Sequence, residues 1–282
     1  MRRRIFLAVF GAPLALVAIG TGAALAVPRT RHLLWGLLNM PDRMPALSTN
    51  AQVHYQPGAE DFAPDVAALL PDAIARVEDV HGRRFEHPVI VGVYATPEAY
   101  AAANGTGSTV PVGVTVFGRV NLSPKLFGPQ HQRLRAILTH ELSHAHIQEW
   151  IGEYDYLYLP TWFKEGLAVM LSGGGGAEFV SEDEARTAIQ RGEKIVINDA
   201  GSPLKATDVP LEKESENRPP WYPGVLAYRE AGMFVNYLRE SDRPAFDRMM
   251  NAILDDHSFT EAVAVGYHDD VRSLWDKFVK SS

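Results

Sequence analysis

Cysteine is missing from all 282 residues. That absence excludes disulfides, thiolate metal ligands and cysteine nucleophiles, so any metal must be held by His, Asp or Glu. A basic excess is missing as well: 27 Lys and Arg stand against 34 Asp and Glu, a net charge of −7. Nucleic acid needs a concentrated basic face and is therefore not an expected partner. Internal repeats are absent, and the run Gly173–Gly176 is the single low-complexity tract. Proline and glycine are both absent from Gln130 to Trp150, which follows Pro129, so one helix of about 20 residues fits there. Apolar residues are in good supply at 46%, sufficient for one large core.

The cluster Arg2-Arg3-Arg4 precedes an uncharged run from Ile5 to Val27. As a helix those 23 residues would span roughly 35 Å, enough to cross a bilayer. Ala24-Leu25-Ala26 also matches the small-x-small pattern of a signal-peptidase site. Residues 1–27 are accordingly expected to be a signal peptide or a single N-terminal membrane anchor. The remainder is then extracytoplasmic, membrane-anchored or secreted, and periplasmic in a bacterium.

Residues 28–49 carry Pro28, Pro41 and Pro45 and read as a linker, with the folded body at 50–282. "AQVHYQ" and the β-branched run "PVIVGVYA" read as strands. Between them "APDVAALLPDAIARVEDVHG" reads as a helix stopped by Gly82, with Pro71 a point where it splits. "PEAYAAAN" is a short helix, and "VPVGVTVFGRVNLSP" one or two further strands with Gly113 and Gly118 at turns or bulges. After the long helix, "TWFKEGLAVML" and a segment capped by Ser181 are helical. Residues 192–223 read as a long surface loop, and three helical patterns close the chain, at Val225–Arg239, Arg243–Asp255 and His268–Val279. Strands early and helices late predict an α+β fold: a small mixed sheet beside the long helix and a mostly helical C-terminal part.

The long helix contains His140-Glu141-Leu142-Ser143-His144. Positions i and i+4 share one helical face, so both imidazoles can aim at one ion. Glu141, rotated about 100° from His140, is not placed to ligate but can reach water bound to the ion. A catalytic zinc needs a third protein ligand. An extension of the motif by a glycine and a third histidine is excluded, because those places hold Ile147 and Trp150. His146 lies on another face and reads as a solvated or hydrogen-bonding histidine. Glu165 comes 21 residues after His144, on a second helix able to fold back on the first. It stands among Trp162, Phe163, Leu167 and Val169, with Lys164 its only charged neighbour. A carboxylate at the edge of such apolar surroundings needs a partner, and a zinc ion provides one.

"HELSH" followed by "WFKEGLA" resembles the gluzincin branch of the zincin metallopeptidases, in the compact peptidase MA-like domains. "VPVGVTVFGRVNLSP" is similar to the strands that lead into the motif helix there, and "GVLAYREAGMFVNYL" to that family's tyrosine-bearing helix. The resemblance covers roughly residues 85–240. It implies a zincin-like fold and one Zn2+ bound by His140, His144 and Glu165. It also implies Glu141 as general base on a zinc-bound water and Tyr228 as hydrogen-bond donor to the tetrahedral intermediate. The expected activity is hydrolysis of peptide bonds in a peptide or protein substrate. The edge strand Val114–Phe117 is a candidate docking site for that chain, and a non-catalytic exported binding module is the alternative. Some gluzincins carry an aspartate four residues after the ligand glutamate to orient a histidine. Here that place holds Val169, so the orienting partner must come from elsewhere.

Overall fold

Caps and breakers set most of the element boundaries. In the computed structural model, residues 27–201, 209–214 and 217–282 are described, so the expected signal or anchor falls, Val27 apart, outside them. No helix of the described residues is long and apolar enough to cross a membrane. The chain opens with helix α1 (Pro28–Leu38), a 3-10 turn at Pro41–Arg43 and strand β1 (Ala46–Leu47). Then come β2 (Asn50–Tyr55), α2 (Ala63–His81), β3 (Ile90–Val93), α3 (Pro97–Ala103), β4 (Gly113–Val116) and β5 (Arg119–Leu122). Helices α4 (Leu134–Tyr158), α5 (Thr161–Leu171) and α6 (Glu182–Gln190) follow, then α7 (Tyr222–Ser241), α8 (Arg243–Leu254), α9 (Phe259–Tyr267) and α10 (Val271–Ser281). The α+β class expected from the sequence is what the structure has.

The five strands form one mixed sheet in the order β1-β2-β3-β5-β4. β2, β3 and β5 run parallel, because α2 and α3 carry the chain back between them, while β1 and β4 pair antiparallel at the two edges. Asp65 sits in the first turn of α2, and Gly82 in the left-handed conformation ends the helix, as the sequence predicts. Pro71 does not split α2. Val66, Leu70, Ala73, Val77 and Val80 form one buried stripe along it, and this packing outweighs one lost backbone hydrogen bond.

The stretch expected as a linker is structured. β1 pairs with β2, Pro41 is buried against Gly92 of β3, and Asp42 binds Arg119 at 3.1 Å. Helix α9 corrects the sequence reading too: Ser258 and Glu261 form a reciprocal capping box that starts a helix where a connection was expected. Within the expected 192–223 loop, Ile195 and Ile197 are buried and Ile195 bridges to Leu211.

Helix α4 lies at the centre, with His140 to Gln148 buried on every side. α2 packs behind it, β4 and β5 lie along it, and α5 folds against it. Two side-chain bonds dock the edge hairpin: Gln148 accepts from the Gly118 N–H at 2.9 Å, and Thr115 Oγ1 lies 2.8 Å from both the carbonyl and the carboxylate of Glu141. Gly113 makes this approach possible, since a Cβ there would sit 2.8 Å from Glu141. α5 is anchored from the other side by aromatic packing, Trp162 on Phe234 and Phe259, and Phe163 on Phe259. Such pairs contribute about 0.5–1.5 kcal/mol each beyond area burial. Gly166 permits a close approach of α5 to α7, where it faces the Ala231 carbonyl.

Candidate metal centre

His140 and His144 project from one face of α4, and Glu165 reaches them from the first turns of α5. His140 Nε2 and His144 Nε2 lie 3.1 Å apart. Glu165 Oε2 stands 3.3 Å from the first and 3.6 Å from the second. Ligand atoms held about 2.1 Å from one zinc at tetrahedral angles are separated by about 3.4 Å, so this trio fits the ion without rearrangement. Among the described residues it is also the group of three His or acidic side chains whose ligand atoms converge, within 4.8 Å of one another. All three side chains are largely buried, which gives two imidazoles and one carboxylate a strong demand for a partner.

Their electrostatics already express that demand. Burial pushes the Glu165 carboxyl up, yet the facing imidazoles of His144 and His140 override it and hold the group well below the usual carboxylate range. Burial likewise pushes His140 down, and hydrogen bonding to Glu165 with the charge of Glu141 more than reverses it. Each imidazole is oriented through its other nitrogen. His140 Nδ1–H donates to the Gly175 carbonyl at 2.9 Å, and His144 Nδ1 lies 2.9 Å from the Tyr156 hydroxyl. The glycine run is needed here: a Cβ on Gly175 would meet the Ala136 carbonyl at 2.7 Å.

Glu141 lies beside the trio, buried at the wall formed by β4 and held by Thr115. Tyr228, on α7, reaches Glu165 by a side-chain hydrogen bond. Burial, then the charge of Glu165 and a hydrogen bond to it, push the phenol well above its ordinary value and keep it a donor. The structure therefore brings His140, Glu141, His144, Glu165 and Tyr228 together. Tyr156, Thr115, Gly175 and Lys164 were not foreseen. The sequence had marked the glycine run without a role, and Lys164 only as the charged neighbour of Glu165.

His146, expected as solvated or hydrogen-bonding, is fully buried on the back of α4. Its Nε2–H donates to the Arg83 carbonyl at 3.0 Å, and in the neutral ring that burial favours, Nδ1 accepts from His81 Nδ1–H, also at 3.0 Å. His81 Nε2 then accepts from the Ser143 hydroxyl at 3.2 Å. This chain satisfies both rings in the neutral forms that their burial favours.

Comparison with protein-family models, with curated proteins and with solved structures finds no match to this chain.

Proposed function

We propose that this protein is a zinc-dependent peptidase of gluzincin type that hydrolyses peptide bonds in a peptide or protein substrate outside the membrane. The observation that carries the reading is the convergence of His140, His144 and Glu165 from two helices at ligand spacing, with a buried carboxylate, Glu141, immediately beside them. A donor set of two imidazoles and one carboxylate is the type that holds catalytic zinc. When bound, zinc lowers the pKa of coordinated water to around 7 and polarises the scissile carbonyl.

The residues of the chain supply the rest. Glu141 takes the proton of the attacking water and delivers it to the departing amine. Thr115 fixes that carboxylate, so the base does not swing during transfer. Tyr228 donates its O–H to the oxygen on which negative charge grows. The open edge of β4 offers a ladder of backbone groups to an extended substrate alongside the same wall.

The test is zinc content after dialysis against a weak chelator, together with cleavage of a mixed peptide library by the native protein and Glu141→Gln. The variant is expected to keep its zinc and lose activity roughly 100- to 10,000-fold. Zinc retention with an undiminished rate in the variant would refute the base assignment. A native protein that binds zinc but cleaves nothing would make the chain a binding module.

A further inference from the structure

We propose that Tyr156 is the positioning residue for the second imidazole of the site: its phenol oxygen accepts the His144 Nδ1–H and so leaves Nε2 free for the ion. The inference rests on the zinc reading of His140, His144 and Glu165. A metal-binding imidazole needs a partner for its other nitrogen, most often a carboxylate, a carbonyl or water, which fixes both tautomer and ring orientation. His140 uses the Gly175 carbonyl. The place where some gluzincins carry an orienting aspartate holds Val169, which packs on Gly232, so His144 must find its partner elsewhere. The group 2.9 Å from His144 Nδ1 is the Tyr156 hydroxyl, with the two rings edge to face at 6.2 Å.

Reaching this position requires a break in the chain. Tyr156 follows His144 by twelve residues in α4, which on a continuous helix would carry it about 18 Å along the axis. Gly152 prevents this. Its φ of 77° and ψ of 164° lie outside helical space, in a region open to glycine alone. The segment after Gly152 turns back toward the site, and the phenol arrives beside the imidazole.

The ring is then locked from α5. Lys164 Nζ donates to the Tyr156 carbonyl at 3.0 Å and lies 4.3 Å from the centre of its ring. Lys164 is nearly fully buried and directly precedes Glu165. One clamp thus couples the carboxylate ligand to the orientation of His144, across two helices. A phenol is a neutral acceptor, so it orients the imidazole without adding the negative charge a carboxylate would bring. A bound ion would keep more of its charge for polarising a carbonyl and would be held less tightly in return.

The experiment measures zinc affinity by chelator competition on the full chain for the native protein, Tyr156→Phe and Lys164→Met. Tyr156→Phe keeps the ring and removes the acceptor, and is expected to weaken zinc roughly 10- to 100-fold. The melting temperature of its metal-free form should stay near that of the native protein. A second readout is the proton spectrum of the cobalt-loaded protein. Two exchangeable, paramagnetically shifted imidazole N–H signals are expected in the native protein, and Tyr156→Phe should lose one of them to exchange with water. Should Tyr156→Phe fail to fold, Lys164→Met retains the hydroxyl and releases the clamp; weaker zinc binding and broadening of the same signal support the proposal. Native zinc affinity and both N–H signals in either folded variant overturn it, while leaving the peptidase reading intact. A native protein that binds neither zinc nor cobalt overturns that reading, and the inference falls with it.

Discussion

Replacing Glu230 by glutamine should stabilise this protein, by an amount that grows with pH. Glu230 lies on α7, two residues beyond Tyr228, and is completely buried. One oxygen accepts the Ile195 N–H at 2.9 Å and ties the 192–197 segment to the helix, while the other has no hydrogen-bond partner among the described residues. Burial above all, with the neighbouring charge of Glu193, pushes the carboxyl from 4.5 up to about 8; the Ile195 N–H and Lys194 pull it back only in part. The folded state therefore keeps a proton that the unfolded chain releases. An acid raised in this way leaves stability whole below pH 4.5 and erodes it as pH climbs through 8. At pH 7 the loss amounts to about 3 kcal/mol, and by pH 9 to about 5 kcal/mol. Glutamine keeps an acceptor for Ile195 and has no proton to lose. For a chain of this size each kcal/mol moves the melting temperature by about 2–4 °C, so a gap of about 6–12 °C is expected at pH 7. Thermal melts of both proteins at pH 4.5, 7 and 9, followed by circular dichroism, measure it. A gap that does not change with pH, or a glutamine variant that melts first, would refute the reasoning.

Acid should act through the histidines behind α4. Burial pushes His81 well below 6.5, and His146 down to about 4, so the unfolded chain takes up protons first. Their contribution is present above pH 6.5 and lost as pH falls toward 4; urea unfolding across that range should show a falling free energy, and a flat profile contradicts it. Gly166→Ala brings a methyl group within 2.5 Å of the Ala231 carbonyl, so α5 and α7 must separate. It should cost about 1–3 kcal/mol and weaken zinc binding together, and an unchanged melting temperature would count against this packing.

How much of this was legible differs residue by residue. His140 and His144 were readable because their relation is local: four residues on one helix fix the geometry wherever that helix lies. Glu165 was readable as a carboxylate set among apolar neighbours. Pro71 misled, because the buried stripe of α2, not the intrinsic preference of one residue, decides whether that helix continues. Residues 28–49 misled as well, since prolines read as a connection also suit a 3-10 turn packed on β3. The α9 capping box stood in the sequence as Ser258 and Glu261, but β-branched residues and Gly266 masked the helix after it.

The amino-acid order alone determined the helical pair of imidazoles, the neighbouring carboxylate and the absence of any thiolate rival, because each depends on identity and short spacing. Only the tertiary structure decided what surrounds them: Thr115 from an edge strand, Gly175 from a loop, Tyr228 from a distant helix and Tyr156 brought back by the bend at Gly152. The reason is that no local spacing relates these residues. Their meeting depends on how the sheet, the broken helix and the aromatic packing around Trp162 bury apolar surface together.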